Sequence, residues 1–199
     1  MSSRKLGEII LNPFEDVTSR NLLIVGTIGF LLMSLLAYFF HFINDGVFQL
    51  HLSKSREYWK CLVNGGINSL VLTLVMFTYG RLVYPKTRFQ DVLIAVLIAQ
   101  FSLIIIVLVT FNPYTMDVTH SIIGEIEKGN ISNLKIATGS LIILTISGLF
   151  GILLLYYFFH LLVKGMKIAI NSTKLVHTIV IVLITLVLDT LLRIVNPYL

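Results

Sequence analysis

The sequence predicts an all-α integral membrane protein with five transmembrane helices. Five apolar runs in the 199 residues approach or exceed the roughly 20 residues that cross a bilayer core, and four of them contain no charged residue. The chain is 56% hydrophobic and only 13% charged, which excludes a soluble globular protein. Strands of a membrane barrel would alternate polar and apolar residues over about 10 positions, and these runs do not alternate. The runs are Leu22–Ile43, Cys61–Tyr79, Val92–Phe111, Ile136–Val163 and Leu175–Val195.

Residues 1–20 form an amphipathic segment that precedes the five-span domain of residues 21–199. The apolar positions recur every three or four residues, and charged residues occupy most of the positions between them. Asn12-Pro13 interrupts this pattern, and proline is favoured in the first turn of a helix. The pattern predicts a short helix before Asn12, a new turn from Pro13, and an interfacial helix lying on the membrane surface. The alternative is a loose tail that only delivers the first span.

The loop between the third and fourth runs carries a second amphipathic pattern. Val118, Ile122, Ile123 and Ile126 are spaced like one face of a helix, and Gly129-Asn130 would end it. We therefore expect a short helix on the outer surface. Two tripeptides match the glycosylation acceptor, and a chance match is the better explanation for both: Asn130-Ile131-Ser132 and Asn171-Ser172-Thr173.

The basic residues predict which way the chain is threaded. The N-terminal segment, the second loop and the fourth loop share one side and carry nine Lys and Arg residues, whereas the other side carries six. Cytoplasmic loops are enriched in Lys and Arg, so we expect a cytoplasmic N-terminus and an outside C-terminus. The fourth loop contributes Lys164, Lys167 and Lys174, which are candidate contacts to lipid head groups.

Amide side chains occur within the runs. Asn64 and Asn68 share one face of the second run with Gly65 and Ser69, and Gln100 lies near the middle of the third. Small residues and amides are typical of helix–helix contacts in membranes, and a direct Asn68–Gln100 pair is the best candidate. We expect a similar packing role for the cluster around Ser147 and Gly148. The alternative for the three amides is a polar path for a solute.

Asp189 is the only acidic residue inside a run. Arg193 follows four residues later on the same helix face, where the two side chains are able to pair. Asp189 lies six residues from the end of the run, about 9 Å along a helix. We therefore expect an ion pair that reaches the outer surface through the flexible arginine. A carboxylate that relays protons is the alternative.

Catalysis and cofactor binding have little support. The single cysteine, Cys61, excludes an internal disulfide, and the five histidines show no metal-ligand spacing. No motif for nucleotide binding or nucleophilic catalysis is present. We expect no cofactor, no metal and no nucleic-acid partner. A lipid-modifying enzyme that uses His160 and Lys164 is the weakest of the hypotheses.

Three stretches resemble the Yip-domain family of multispan membrane proteins, which are named for binding Ypt/Rab GTPases. Leu11-Asn12-Pro13-Phe14-Glu15-Asp16 precedes the first run, and a basic turn, Lys86 to Leu93, leads into the third. The last stretch is Val163-Lys164-Gly165-Met166-Lys167-Ile168 before the fifth run. The resemblance implies a five-span membrane scaffold. About 20 residues precede the first run, where eukaryotic members carry a long cytosolic region, which argues against GTPase binding and for a compact bacterial member.

The sequence therefore predicts a non-enzymatic Yip-like scaffold that organises membrane lipids or recruits partners. We expect it in the bacterial inner membrane, associated with lipids and with itself or another membrane protein. The alternative is a small transporter or transporter subunit for an unknown solute, with the face formed by Asn64, Asn68 and Gln100 as its path and Asp189 as its coupling group.

Overall fold

The computed structural model describes residues 6–52, 57–127 and 137–195. The elements are α1 (Leu6–Leu11), α2 (Pro13–Asp16), α3 (Ser19–Phe40), β1 (Phe42–Asn44), β2 (Leu50–Leu52), α4 (Tyr58–Val83), α5 (Phe89–Thr110), α6 (Pro113–Glu127), α7 (Thr138–Ala169) and α8 (Leu175–Val195). Five of the helices are long and apolar enough to cross a membrane, as the sequence predicted: α3, α4, α5, α7 and α8. A two-stranded sheet that the sequence did not predict joins α3 to α4.

Four of the five long apolar helices end at residues other than those predicted: α4 extends to Val83 and not Tyr79, and α5 stops at Thr110, one residue before Phe111. Helix α3 stops at Phe40 because His41 takes a left-handed backbone conformation, with φ of 54°, and its N–H bonds back to the Ala37 carbonyl. Helix α7 continues to Ala169, so Lys164 and Lys167 lie on a helix and not in a loop as predicted. Lysines at the end of a spanning helix are tolerated because their long side chains reach the polar surface.

The predicted break in the N-terminal segment is confirmed. Helix α1 ends at Leu11, and α2 begins at Pro13, where the missing proline N–H has no intrahelical partner to lose. The predicted helix between the third and fourth spans is also present, as α6. Its predicted end at Gly129-Asn130 lies outside the described residues, as do Lys128, Lys135 and the tripeptide at residues 130–132.

Helix α5 lies at the centre of the bundle and packs mainly against α7 and α3. Small residues allow these close approaches: a Cβ added at Gly26 would lie 2.7 Å from the Leu97 Cβ, and one at Gly165 would lie 2.5 Å from the Ala95 Cβ. Helix α7 is the least buried of the five. The packing role expected around Gly148 is not realised within the described chain, since Gly148 faces open space.

The outer surface of the bundle is largely apolar. Large apolar side chains are exposed on every spanning helix, among them Leu82 at 81% and Ile152 at 67%. Soluble monomers rarely expose such continuous apolar surface, which fits a protein that lipid surrounds. We call the end that carries α1 and α2 the N-terminal face, and the opposite end, which carries the β-hairpin and α6, the hairpin face.

Candidate functional site

The chain between α3 and α4 folds back into the bundle as a β-hairpin. Strand β1 pairs antiparallel with β2, with Phe42 opposite Leu52, and the Asp45 N–H donates to the Gln49 carbonyl at 3.1 Å across the tip. Phe42 and Val47 are each 1% exposed. Residues 42–52 therefore form a hairpin whose tip is buried among the helices.

Asp189 of α8 holds the hairpin tip. Its Oδ1 accepts hydrogen bonds from the backbone N–H groups of Val47 at 2.8 Å and Phe48 at 3.2 Å. Its Oδ2 accepts from Nε2 of Gln49 at 2.5 Å. The carboxylate is therefore paired with three donors although Asp189 is only 2% exposed, and hydrogen bonds to an ionised group are the strong ones.

The predicted ion pair between Asp189 and Arg193 is wrong. Within the described part of the chain no ion pair joins them, and Arg193 is exposed whereas Asp189 faces the bundle together with Leu188 and Leu192. The backbone amides of the hairpin take the place of the cation. Sequence spacing along α8 gave no sign of a partner some 140 residues away.

Gly46 lets the hairpin tip approach the carboxylate. A Cβ at this position would overlap Oδ1 of Asp189, so any side chain would push the tip away. Next to it, the Phe48 ring packs edge-on against Phe158 and Phe159 of α7, with centroids 6.2 and 6.0 Å away. The tip is thus fixed by a carboxylate on one helix and by aromatic packing on another.

The polar face of α4 supports the hairpin from the other side. Asn68 donates from Nδ2 to the Asn44 carbonyl at 2.8 Å, ten residues or about 15 Å from the start of α4. Ser69 donates from Oγ to Oε1 of Gln100 at 2.9 Å. The direct Asn68–Gln100 pair that we expected is replaced by these two bonds. The predicted common face is confirmed, because Asn64, Asn68 and Ser69 are all buried.

Asn64 is fully buried, and neither its Oδ1 nor its Nδ2 has a hydrogen-bond partner among the described residues. Oδ1 of Asn44 is likewise buried and has no hydrogen-bond partner among the described residues. A cavity of about 20 Å³ lies beside this polar face, lined by Asn44, Ser34, Ser69, Gln100 and apolar neighbours. That volume holds about one water molecule.

On the N-terminal face, α7 holds the N-terminal segment. The Tyr157 hydroxyl donates to the Ile10 carbonyl at 2.7 Å, and Nε2 of His160 lies 3.0 Å from the Leu11 carbonyl. These bonds supply donors to carbonyls at the end of α1, which accept no hydrogen bond within the helix itself. His160 therefore positions the N-terminal segment.

A groove of about 880 Å³ lies between the N-terminal segment, α7 and the start of α8. Lys164 and Lys167 line it, whereas Lys174, the third lysine predicted to contact lipid, is exposed and lies outside its wall. Two polar atoms of lining residues, Oδ1 of Asn12 and Oγ1 of Thr178, are buried and have no hydrogen-bond partner within residues 6–52, 57–127 and 137–195. The remaining lining combines aromatic and aliphatic side chains with the polar turn at residues 171–173.

Among the residues that the structure describes, no three His, Cys, Asp or Glu side chains form a group that could hold a metal ion. Comparisons with protein families, curated proteins and solved structures find no match to this chain. The resemblance to the Yip family stays a prediction.

Proposed function

We propose that this chain is a non-enzymatic, Yip-like integral membrane protein that acts as a scaffold, organising membrane lipids or recruiting partner proteins. The observation that carries the proposal is how the polar side chains within the bundle are used. Asp189 and Asn68 hold the hairpin, and Ser69 bonds Gln100. The cavity beside Ser69 and Gln100 has room for about one water molecule, which supports a role for these polar groups in stabilising the fold over a role in passing a solute.

The proposal includes a membrane location and an orientation. We place the N-terminus in the cytoplasm and the C-terminus outside a bacterial inner membrane, because the N-terminal face carries most of the basic residues. The exposed half of α7 offers a surface for a second copy or another membrane protein. Reporter fusions at the two ends should report opposite compartments. Two ends in the same compartment would overturn the five-span arrangement.

Reconstitution tests the scaffold function. Purified protein in sealed liposomes should leave ion and small-solute gradients unchanged, and co-purification in mild detergent should retain specific lipids or membrane proteins. The matched control is empty liposomes prepared from the same lipids and detergent. Saturable movement of a solute that depends on the protein would refute the scaffold and favour a carrier.

One observation favours a carrier as the second candidate. Non-helical backbone at membrane depth is tolerated only when protein covers it or water lines it, and the hairpin held by Asp189 is such a segment. A carrier would use Asp189 as its coupling group, so Asp189→Asn should abolish ion-coupled flux. In a scaffold the same change should lower stability alone. Arg193→Gln is the matched control, because that side chain is exposed and lies one turn away.

A further inference from the structure

We propose that the groove on the N-terminal face binds one anionic phospholipid. The head group lies against Lys164, Lys167 and the polar turn at residues 171–173, and an acyl chain follows the apolar wall. This inference rests on the proposed membrane scaffold and names the lipid class that the scaffold holds. The groove volume of about 880 Å³ falls in the range of ligand sites in proteins, roughly 300–1,000 Å³.

The charge of the groove selects an anion. Lys164 and Lys167 lie three residues apart near the end of α7, and Glu15 of the N-terminal segment also lines the groove. These three charged side chains together carry a net charge of +1. Lysines close to a membrane surface attract anionic lipid head groups.

The polar turn before α8 adds hydrogen-bonding side chains to this wall. Asn171, Ser172 and Thr173 line the groove, and α8 begins two residues later, at Leu175. Amide and hydroxyl side chains of this kind donate hydrogen bonds to phosphate oxygens. The two lysines and this turn therefore converge on one groove.

Two orphaned polar atoms at the wall point to a ligand with both hydrogen-bond donors and acceptors. In the part of the chain that the structure describes, the Thr178 hydroxyl and Oδ1 of Asn12 are buried without a partner, which is rare in proteins unless a ligand or water supplies the partner. A phosphate oxygen would accept from Thr178, and a head-group hydroxyl would donate to Asn12. Phosphatidylglycerol carries both groups.

The apolar half of the lining distinguishes a lipid from a free anion. Tyr156, Phe159, Val163, Ile168 and Val182 form part of the wall. Exposed apolar residues of α1, Ile10 and Leu11, lie beside the groove where Tyr157 and His160 bind the segment. An amphipathic helix of this kind lies at the level of lipid head groups, which places the lysines at the same depth as the phosphates.

Native mass spectrometry of the full chain, released from nanodiscs of mixed phosphatidylglycerol and phosphatidylcholine, tests the proposal. The wild type should retain one phosphatidylglycerol in preference to phosphatidylcholine. Lys164→Gln combined with Lys167→Gln should weaken this preference on the order of 30-fold, about fivefold for each lysine. The matched control removes two basic charges from the same face outside the groove, Lys86→Gln with Arg88→Gln, and should change the preference less than twofold.

Two further measurements keep the result interpretable. Thr178→Val removes the orphaned hydroxyl at constant size and should weaken phosphatidylglycerol binding about two- to tenfold. Phosphatidylglycerol, and not phosphatidylcholine or inorganic phosphate, should raise the thermal midpoint of the wild type, a readout that needs no variant to fold. Competition by inorganic phosphate alone would show that the groove holds a free anion, and would overturn the proposal.

Equal retention of both lipids by the wild type, or equal losses in the groove and control variants, would also overturn the lipid site. Neither result would contradict the scaffold function, which is refuted only if the reconstituted protein moves a solute. Solute flux observed together with specific binding of phosphatidylglycerol would refute the scaffold function and still support the lipid site.

Discussion

Replacing Asp189 by alanine tests what holds the hairpin in the bundle. The change removes both carboxylate oxygens and leaves the N–H groups of Val47 and Phe48 without acceptors. Each unsatisfied buried donor costs about 1–3 kcal/mol, which gives about 2–6 kcal/mol for the pair. The variant escapes the cost of burying an ionised carboxylate, which offsets part of this loss. We expect a net destabilisation of about 2–4 kcal/mol.

Asp189→Asn separates the charge of the side chain from its shape. The amide oxygen still accepts from both backbone N–H groups, but each bond falls from the charged to the neutral class, a loss of about 1 kcal/mol per bond. The side-chain amide of Gln49 must turn to present its oxygen to the new NH₂ group. We expect a loss of about 1–2 kcal/mol, between the wild type and the alanine variant.

Two assays follow these changes. Unfolding in detergent micelles by increasing SDS gives the free-energy differences. Thiol labelling gives the position of the tip: Val47→Cys in a Cys61→Ala background should resist a polar maleimide while Asp189 is present and react when Asp189 is replaced by alanine. The position is suitable because Val47 is 1% exposed in the closed hairpin.

Arg193→Gln is the control for the same helix, and its effect should stay within about 0.5 kcal/mol because the side chain is exposed. If Asp189→Ala leaves both the unfolding midpoint and the labelling of position 47 unchanged, the carboxylate does not hold the hairpin. If Arg193→Gln costs as much as Asp189→Ala, the ion pair along α8 is restored as the explanation.

Three other substitutions test close contacts, each measured by the same unfolding assay. Gly46→Ala should destabilise by about 1–3 kcal/mol, because the added methyl overlaps the carboxylate at the hairpin tip. Gly165→Ala should cost a similar amount, because the methyl would lie 2.5 Å from the Ala95 Cβ and 3.0 Å from its backbone. Ser69→Ala should cost about 0.5–1.5 kcal/mol, because it leaves Oε1 of Gln100 without its donor.

Gly148→Ala is the control for the two glycine variants. An added methyl meets nothing at this position, and alanine is favoured over glycine inside a helix by about 0.5–1 kcal/mol, so the variant should be as stable as the wild type or more stable. Equal losses at positions 148 and 165 would show that the α5–α7 contact is not the cause. An unchanged midpoint for Ser69→Ala would show that its bond to Gln100 contributes nothing to stability.

The number of spanning helices could be predicted from the sequence because bilayer thickness fixes the length of an apolar helix. The face of α4 that turns inward could be predicted as well, since Asn64 and Asn68 repeat with the helical period. The end of α7 could not be predicted in this way. Lysines after an apolar run indicate a loop, but Lys164 and Lys167 continue the helix because their flexible side chains carry the charges to the surface. Apolarity does not mark where a helix of this kind stops.

The hairpin had a local signal that the apolar pattern concealed. Asn44-Asp45-Gly46 is a strong turn sequence, and β-branched or large apolar residues flank it on both sides. A search for turns would have placed a hairpin there. Its insertion into the bundle, however, depends on Asp189, which is 142 residues from Val47 in sequence, and no local pattern links the two.

The carboxylate and the hairpin tip stabilise each other. Without Asp189, the amides of Val47 and Phe48 would be unsatisfied where lipid offers no hydrogen bonds. Without the tip, Asp189 would be a buried carboxylate with none of the three donors that it now has. A carrier that withdrew the hairpin during transport would have to supply water, a cation or a proton to Asp189 in the same step. A scaffold has no such step, and its tip should stay shielded from thiol labelling at every pH and ion composition at which the protein remains folded.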